Sequence, residues 1–441
     1  MLSDTIVALA TPPGRSALAL IRLSGSSAFA VAGRVISQFR TDSPRHATLA
    51  TFQSQDGQII DQGLYVAFPG PHSYTGEDLV ELSCHGGLLA PSRLLGALQT
   101  AGARPAAAGE FTRRAVLNGK LDLLQAEAVG DLIDATAPAQ ADAALRQLEG
   151  GLSRRLSQLR ESLIQIQALL SYDIDFPEED DGPVRPERIA EEIRQASDQI
   201  QRLVSTAPSG ERLREGALLV FAGRPNAGKS SLFNALLGSE RALVTEIPGT
   251  TRDAIEAHTD FLGWPVRLAD TAGLWNAPEQ IDRLGVEVSR RYLAAADLVL
   301  LCVEAGRALG EDELLIAGER PALVVRTKAD LAPAAGDGLA VSALTGVGLG
   351  ELRRSAAERV FADRINLADL EPVLTRERHQ TALARARRAL LAALPHLGRA
   401  GDAVLAAHHV REASEALDEL LGVVDIDEVL DRVFGSFCIG K

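Results

Sequence analysis

The sequence has few cysteines, no long apolar run and no excess of basic residues. Its three cysteines, Cys84, Cys302 and Cys438, lie far apart in a chain of 441 residues. Such scattered thiols cannot form a disulfide framework or a CxxC metal pair, so a reducing compartment is expected. No stretch reaches the roughly 18 apolar residues that span a bilayer, and no basic targeting segment precedes the first apolar run. We therefore expect a soluble, cytoplasmic protein without membrane contact.

The charge balance limits the possible partners. The 45 Lys and Arg residues are outnumbered by 59 Asp and Glu residues, which leaves a formal net charge of −14. This balance argues against a surface that is basic throughout and binds nucleic acid everywhere, although a local basic patch remains possible. The hydrophobic content of 46% and the charged content of 24% are typical of a globular protein. The length predicts two or three folding units, since one domain takes roughly 150 residues.

The hydrophobic pattern changes three times along the chain. Residues 1–118 alternate short β-type runs with turn signals, which predicts an N-terminal α+β domain. Long helical stretches follow in residues 119–213 and return in residues 363–441, which predicts a helical domain in two parts. Between them, residues 214–362 alternate apolar runs with helical segments, a pattern typical of a parallel α/β domain. The expected fold class is therefore multi-domain, with an N-terminal α+β domain and an α/β domain inserted into a discontinuous all-α helical domain.

Two apolar stripes indicate long amphipathic helices in the first helical part. Their members recur at alternating spacings of four and three residues, and the second helix is expected to begin at Pro186. Periodicity alone leaves open whether the stripes pack within one chain or form a dimer seam. The stripes consist of Leu152, Leu156, Leu159, Leu163, Ile166 and Leu170, and of Ile189, Ile193, Ala196, Ile200 and Leu203.

A phosphate-binding loop is predicted after an apolar run that ends near residue 222. Gly223–Ser230 read GRPNAGKS, which has the G-x-x-x-x-G-K-[ST] spacing and precedes a helical segment. Backbone N–H groups of such a loop wrap phosphate oxygens, Lys229 brings a positive charge to the β and γ oxygens, and the Ser230 hydroxyl can ligate Mg²⁺. Because a simple glycine turn could share this spacing, the segments that follow decide the interpretation.

Three further segments follow in the order that a GTPase requires. Asp270–Gly273 read DTAG, where a carboxylate orients the Mg²⁺ shell and a glycine N–H reaches the γ-phosphate. Thr327–Asp330 read TKAD, and the Asp330 carboxylate can accept two N–H groups from guanine that adenine does not offer. Ser342–Leu344 can contact the base through their backbone. Asparagine is usual at the position of Thr327, so the loop-bracing contact of that residue is not assured.

The chain has a candidate switch threonine but lacks a catalytic glutamine. The Thr251 hydroxyl is placed to ligate Mg²⁺ only when a γ-phosphate is present. Leu274 follows DTAG, where Ras-type enzymes have the glutamine that orients the attacking water. Hydrolysis must therefore use another group, and the carboxylates of Glu279 and Asp282 are the candidates.

Beyond these segments, the chain resembles the MnmE (TrmE) family of tRNA-modification GTPases from end to end. The segments that carry the resemblance most specifically lie outside the α/β domain. They are Thr5–Ala8, Ala10–Arg15, Ser73–Asp78, Gly109–Thr112, Leu121–Ala128 and Phe437–Lys441. The resemblance implies an N-terminal domain that binds folate and dimerises, followed by the helical domain and the inserted G domain.

The resemblance also implies a function. Members of this family take part in adding a carboxymethylaminomethyl or aminomethyl group to C5 of the wobble uridine, position 34, of certain tRNAs. They work with the flavoprotein MnmG, in a heterotetramer that contains a homodimer of the GTPase, and use a tetrahydrofolate one-carbon unit. GTP hydrolysis to GDP in the family requires potassium as well as magnesium. Since the chain is acidic, much of the tRNA-binding surface is expected to belong to MnmG.

The resemblance assigns site residues by position in this sequence. The catalytic residues are Lys229, Thr251 and Asp282, which stands where the family usually has glutamate, and Mg²⁺ is held by Ser230 and Thr251. The potassium ligands are Asn226, Thr245, Ile247 and Thr250, and the contacts to 5-formyltetrahydrofolate or a related tetrahydrofolate are Arg22, Glu81, Lys120 and Lys441. The GTP-binding residues are Asn226, Ala227, Gly228, Lys229, Ser230, Ser231, Thr245, Glu246, Ile247, Pro248, Gly249, Thr250, Thr251, Asp270, Thr271, Ala272, Gly273, Thr327, Lys328, Ala329, Asp330, Ser342, Ala343 and Leu344.

Two interpretations remain beside this one, and one thiol is left open. A GTPase switch in ribosome assembly, without modification chemistry, would share every residue of the G domain, although such proteins usually append a basic RNA-binding module. A nucleotide-gated scaffold would bind no folate. Cys438 is either a reactive thiol or a small packing residue, since only Lys441 offers a basic neighbour in sequence.

Overall fold

The protein is described here by a computed structural model. It describes residues 4–175, 185–238, 255–270, 291–361, 373–397, 402–422, 433–434, 437 and 440. The chain forms two compact units. Unit 1 consists of Met1–Gly130, Ser153–Ser157 and Leu417–Lys441, and unit 2 of Asp131–Leu152 and Gln158–Ala416. The predicted domain boundaries stay predictions.

Unit 1 contains a six-stranded sheet in the order β3-β4-β5-β2-β1-β6. Neighbouring strands are antiparallel except β1 and β6, which are parallel. The strands are β1 (Ile6–Leu9), β2 (Leu18–Ser24), β3 (Thr48–Gln53), β4 (Ile59–Phe68), β5 (Leu79–His85) and β6 (Arg104–Pro105), and the helices that accompany them are α1 (Ala28–Val35), α2 (Ala90–Thr100) and α3 (Glu110–Leu117). Helix α4 (Leu123–Asp134) follows in the chain.

The sheet of unit 1 buries one face under two helices. Alternate residues of the strands, among them Ile21, Leu23 and Leu82, form one buried cluster with Val31 of α1 and Leu94 of α2. This alternation is the period of two that a half-buried strand requires. The predicted α+β fold is confirmed, although β3 and β6 were not predicted, because TLATFQ of β3 mixes polar and apolar residues and β6 has only two residues.

Helix α3 carries a buried arginine. Arg114 is 1% exposed, and its guanidinium donates to the carboxylates of Asp4, Glu77 and Glu110 at 2.8, 3.1 and 2.9 Å. Burial acts to raise the pKa of Glu110, but hydrogen bonds from Arg104, the Ala107 amide and Arg114 outweigh it and hold that pKa below its usual value. The cluster therefore joins the segment before β1, the loop before β5 and α3 by ion pairs.

Unit 2 contains a second six-stranded sheet in the order β12-β11-β10-β7-β9-β8. Its strands are β7 (Ala217–Ala222), β8 (Ile255–Phe261), β9 (Trp264–Asp270), β10 (Leu298–Glu304), β11 (Ala322–Thr327) and β12 (Leu339–Ala340). The helices that follow α4 in the chain are α5 (Pro138–Leu148), α6 (Gly151–Asp175), α7 (Pro186–Val204), α8 (Ala207–Glu215), α9 (Lys229–Leu237), α10 (Glu311–Glu319), α11 (Leu349–Phe361), α12 (Glu377–Ala393) and α13 (Ala403–Leu421), with a 3-10 helix at Leu394–His396.

The predicted parallel α/β pattern is confirmed for five strands. Strands β12, β11, β10, β7 and β9 are parallel, whereas β8 pairs antiparallel with β9 at the edge of the sheet. Strand β8 was not predicted, because IEAHTDF mixes charged and apolar residues as an edge strand does. The fold class is thus an N-terminal α+β domain, a helical domain in two chain segments, and an inserted P-loop α/β domain.

The helical stripes are buried within the single chain. Every member of both stripes is 3% exposed or less, and α7 begins at Pro186 as predicted. Helix α7 packs against α12. The stripes therefore pack intramolecularly, as one of the two interpretations predicted. Within the described ranges, no helix combines the length and the apolar character needed to cross a membrane.

Candidate GTP-binding site

Four predicted segments meet at one edge of the sheet in unit 2. The loop that begins at Gly223 follows β7, Asp270 is the last residue of β9, Thr327 is the last residue of β11, and Ser342 lies two residues after β12. Because the carboxyl ends of parallel strands lie at the same edge, the fold collects these segments into one site. Segments more than 100 residues apart in the chain are thereby brought together.

The backbone of the phosphate-binding loop requires glycine at two positions. Gly223 has φ +135, and a Cβ there would lie 2.3 Å from the Cys302 carbonyl oxygen of the neighbouring strand β10. Gly228 has φ +84 and precedes the first residue of α9. Asn226 also has a positive φ, +65, which asparagine tolerates better than most residues. Such a loop turns its N–H groups toward the helix N-terminus and forms an anion site.

Lys229 lies over this loop. It is 7% exposed, and its Nζ donates hydrogen bonds to the carbonyl oxygens of Gly223 and Arg224, both at 2.9 Å. Burial lowers the pKa of Lys229, although the nearby Asp270 carboxylate acts in the opposite direction. The ammonium group is therefore partly desolvated and positioned beside the loop, where it can donate to a phosphate oxygen.

Thr327 makes the bracing contact that its sequence position left open. Its Oγ1 donates to the carbonyl oxygen of Ala227 in the loop at 2.7 Å, and both residues are buried. A hydroxyl is shorter than the amide of the usual asparagine, but the two segments lie close enough for it to reach the loop: Thr327 Cβ is only 3.5 Å from where a Cβ on Gly228 would lie. The guanine-recognition segment and the phosphate loop are thus directly joined.

Asp330 is held by the loop that contains Ser342, after β12. The fully buried Ser342 donates from Oγ to Asp330 Oδ1 at 2.6 Å, and the Thr345 amide donates to Ser342 Oγ at 3.2 Å. The preceding Lys328 has φ +56 and pairs with Glu304. These contacts fix the carboxylate in one orientation, so it can present an edge of acceptors to a base. The sequence did not predict this contact between Ser342 and Asp330, because nothing in the segment Ser342–Leu344 indicates which side chain the serine hydroxyl meets.

The described part of the Mg²⁺ site fits that ion. Ser230 lies exposed in the first turn of α9, and Asp270 is buried at the end of the adjacent strand β9. A hydroxyl and a carboxylate are the hard oxygen donors that Mg²⁺ prefers, with phosphate and water completing its shell. Among the described residues, no three His, Cys, Asp or Glu side chains gather into a metal site of their own. These residues would orient the ion, and the ion would neutralise phosphate charge.

Several predicted site residues lie outside the described ranges. Ser231 is described and lies in the first turn of α9, and Ala329, Ala343 and Leu344 lie in the same loops as their neighbours, with Leu344 exposed at the surface. The residues outside the described ranges are Thr245, Glu246, Ile247, Pro248, Gly249, Thr250, Thr251, Thr271, Ala272, Gly273, Asp282, Cys438 and Lys441.

In unit 1, two of the predicted folate contacts meet. Arg22 and Glu81 are opposite each other on β2 and β5, and Arg22 Nη2 donates to Glu81 Oε1 at 2.7 Å. The Arg22 guanidinium also lies over the rings of Tyr74 and Phe111, at 5.4 and 5.8 Å from their centroids. Lys120 lies elsewhere in the unit, where its Nζ donates to the Pro71 carbonyl oxygen at 3.1 Å. Arg22 and Glu81 thus form a paired, partly buried polar group beside aromatic rings.

Thr327→Val tests the brace of the phosphate loop. Valine has nearly the same shape but leaves the buried Ala227 carbonyl without this donor, a loss of about 1–2 kcal/mol. We expect affinity for GTP to fall roughly tenfold, as measured by fluorescent nucleotide titration. Thr327→Asn restores a donor and is expected to recover most of the affinity. Equal affinity of the valine variant and the parent would show that the contact does not position the loop.

The two described cysteines are expected to be unreactive. Burial and the charge of Asp61 raise the pKa of Cys84 to about 11, and burial raises that of Cys302 to about 12. At pH 8 the thiolate fraction of each is therefore about 0.1% or less, and iodoacetamide should label neither in the native protein. Any rapid labelling found by peptide mass analysis is expected at Cys438 and should vanish in Cys438→Ser. Rapid labelling of Cys84 would contradict the prediction.

The fold and the site together define a P-loop GTPase. The phosphate loop with Lys229, the strand-end Asp270 and the guanine-type acceptor Asp330 all lie at the edge where the parallel strands of one sheet end. Two family models match nearly the whole chain: "GTP-binding protein TrmE N-terminus" matches residues 5–120, and "MnmE helical domain" matches residues 123–438. The chain belongs to the MnmE (TrmE) family of tRNA modification GTPases.

Curated relatives agree along the whole chain. The tRNA modification GTPase MnmE of Moorella thermoacetica is 42% identical over 464 residues, which cover 100% of both chains. The proteins of the same name from Aquifex aeolicus and Nitrosococcus oceani are each 41% identical, with 99% and 100% of this chain covered and 100% and 98% of theirs. Among solved structures, the G domain of the T. maritima FeoB iron transporter is 26% identical over 32% of this chain and 98% of that one, with a TM-score of 0.25.

Proposed function

We propose that this chain hydrolyses GTP to GDP and couples the hydrolysis to modification of tRNA. The observation that carries the proposal is the meeting of the phosphate loop, Asp270, Thr327 and Asp330 at one sheet edge, in a chain whose full length matches relatives named for this activity. The site of modification is C5 of the wobble uridine, position 34, which receives a carboxymethylaminomethyl or aminomethyl group. This modification is proposed to take place in the cytoplasm, with MnmG as the partner protein.

Guanine selection follows from the orientation of Asp330. Ser342 occupies Oδ1 from one side, so the carboxylate keeps acceptor capacity for the ring N–H and exocyclic amine of guanine. Adenine offers no such pair of adjacent donors. A charged acceptor left unpaired by the wrong base is costly, which supports GTP rather than ATP as the substrate.

Hydrolysis is proposed to use potassium and Asp282. Leu274 cannot orient water, so a carboxylate of the segment beyond it has to do so. Asn226 has an exposed side chain in the phosphate loop, and its amide oxygen is a suitable hard ligand for K⁺. The remaining proposed ligands are Thr245, Ile247 and Thr250. A cation there would offset phosphate charge, as an arginine finger does in other GTPases.

Unit 1 is proposed to bind a tetrahydrofolate such as 5-formyltetrahydrofolate. The Glu81 carboxylate can pair with the ring N–H and amine of a pterin, and Arg22 holds that carboxylate in place. The half-buried Tyr74 provides flat apolar surface beside the pair, and the fully buried Phe111 ring lies against the Arg22 guanidinium. Lys120 and Lys441 are the proposed partners of the folate's own carboxylates.

A homodimer through unit 1 is proposed from the uncovered face of its sheet. Leu18, Leu49 and Leu64 are 63%, 64% and 43% exposed, and they lie on the same face as Arg22 and Glu81. Exposed apolar residues that follow one face of a sheet mark an interaction surface. A second copy on this face would cover the leucines and enclose the folate site. tRNA is proposed to bind largely through the complex with MnmG.

Analysis of tRNA nucleosides tests the proposed function. In cells that lack the gene, we expect mass spectrometry to show loss of carboxymethylaminomethyl and aminomethyl groups at wobble uridines. The parent gene should restore them, and Lys229→Ala, which removes the phosphate-binding charge, should not. Unchanged tRNA nucleosides together with altered ribosome profiles would instead support a GTPase switch in ribosome assembly.

A further inference from the structure

The hairpin of β8 and β9 joins the two segments that are expected to respond to the γ-phosphate. At its open end, Ile255 pairs with Asp270. Thr251 precedes Ile255 by four residues in the sequence, and Thr271 follows Asp270 directly. Each strand has seven residues, so the turn at the closed end lies roughly 20 Å away along the strands.

The turn of this hairpin caps helix α5. Leu262 and Gly263 have φ +54 and +86, as in the tight two-residue turns that match the twist of a hairpin. The Gly263 carbonyl oxygen accepts a hydrogen bond from the amide of Ala139 at 3.0 Å. Ala139 is the second residue of α5, so its N–H is one of the donors that a helix leaves without an internal partner. A backbone group of the G domain therefore completes the first turn of α5.

Apolar packing joins the same two elements. Ala139 is fully buried in one cluster with Phe261 and Trp264, the residues on either side of the turn. The Trp264 ring also stacks on Phe361 of α11 at a centroid distance of 4.7 Å. Closely packed side chains do not slide freely over one another, so a shift of the turn must displace the start of α5 or break the contact.

The first turn of α5 is tied to a second element that contacts β9. Gln140 Oε1 accepts hydrogen bonds from the amides of Thr136 and Ala137, at 2.8 and 3.0 Å, and its Nε2 donates to the Arg214 carbonyl oxygen at 2.7 Å. Arg214 lies at the end of α8, and Arg267 of β9 donates from Nε to the Gly216 carbonyl oxygen just beyond it at 3.2 Å. Strand β9 is thus connected to α5 both at its turn and through α8.

We propose that the first turn of α5 responds to the nucleotide, through the β8–β9 hairpin, and that Gln140 is a positioning residue for the GTP site. The inference rests on the proposed binding of GTP, but not on tRNA modification. A change at Asp270 or beside Ile255 moves the hairpin, and the hairpin moves the cap of α5. Because coupling between two sites is reciprocal, altering the α5 contacts must change the preference of the site for GTP over GDP.

Hydrogen exchange tests the response of α5 directly. The full chain is loaded with GDP or with a non-hydrolysable GTP analogue, each with Mg²⁺, and exchange is followed by mass spectrometry in peptides that cover residues 136–142. We expect the two nucleotides to give different protection there. Peptides from α2, which lies in unit 1, serve as an internal comparison and should exchange alike with both nucleotides. Equal protection of residues 136–142 in a chain that demonstrably binds both nucleotides overturns the inference and leaves the proposed function intact, whereas absence of nucleotide binding sinks the proposed function itself.

Gln140→Ala tests the positioning role. The ratio of the dissociation constants for GDP and the GTP analogue is expected to change by about fivefold or more. Leu145→Ala, an exposed position on the same helix, is the matched control and should leave the ratio unchanged. If Gln140 served only stability, the variant would have a lower melting temperature, or would bind both nucleotides more weakly by the same factor. A ratio within twofold of the parent value would therefore remove Gln140 from the coupling.

Discussion

Asp330→Asn is expected to lower the affinity for GTP by about 100-fold or more and to raise the affinity for xanthosine triphosphate. The carboxylate accepts two N–H groups of guanine, and hydrogen bonds to a charged group contribute about 1.5–3 kcal/mol each. Asparagine replaces one acceptor by a donor, which faces the exocyclic amine of guanine. Xanthine carries an oxygen at that position, so the same amide becomes complementary to it.

Competition titrations with both nucleotides measure this change. Ser342 can still donate to the amide oxygen of the variant, so the loop is expected to keep its conformation. Asp337→Asn, an exposed change in the same domain, removes the same charge and should leave GTP affinity unaltered. If Asp330→Asn bound GTP as tightly as the parent, the base would have to be recognised by another group and the guanine assignment would be lost.

Arg114→Met is expected to lower the free energy of unfolding of unit 1 by about 3–5 kcal/mol, the usual effect of removing one partner of a buried ion pair. Methionine fills part of the volume but leaves the carboxylates of Glu77 and Glu110 without their buried cation. It also frees the Asp4 carbonyl oxygen, which accepts from Arg114 Nη1 at 2.9 Å. The loss therefore comes from uncompensated polar groups rather than from a cavity.

Urea unfolding of the full chain, monitored through hydrogen exchange of peptides from unit 1, measures this loss of unfolding free energy. Arg93→Met is the matched control, because Arg93 is exposed and donates to the Gln58 side chain, not to a carboxylate. An Arg114→Met variant as stable as this control would show that the ion cluster contributes nothing net to unit 1.

Arg114→Met should also change how the stability of unit 1 depends on acidic pH. Burial opposes the charge on Asp4 and Glu110, but their arginine partners hold both pKa values below the usual 3.8 and 4.5. The stabilisation is therefore fully present above the unfolded pKa and is lost as pH falls through the folded one. We expect the parent to lose stability below about pH 4 more steeply than Arg114→Met, in unfolding curves recorded at a series of pH values.

The helices and parallel strands could be predicted because their signals are local. The stripe from Leu152 to Leu170 has helical spacing, and Pro186 begins a helix because proline fits its first turn. Strands β7, β9, β10 and β11 are nearly continuous apolar runs, as strands buried on both faces require. Strand β8 escaped prediction because its pattern is that of an edge, and β6, with two residues, is too short to carry a pattern.

The GTP-binding site likewise has parts that the sequence predicts and parts that only the fold reveals. The sequence by itself determined the phosphate loop, Asp270 and Asp330, since the chemistry of GTP requires those residue types in that order. Only the tertiary structure decided that a threonine can brace the loop at Thr327, that Ser342 orients Asp330, and that Gly263 caps α5. Each of these contacts joins residues that are 12 to more than 100 positions apart, and their partners are decided by how the strand ends and turns pack, which no local pattern records.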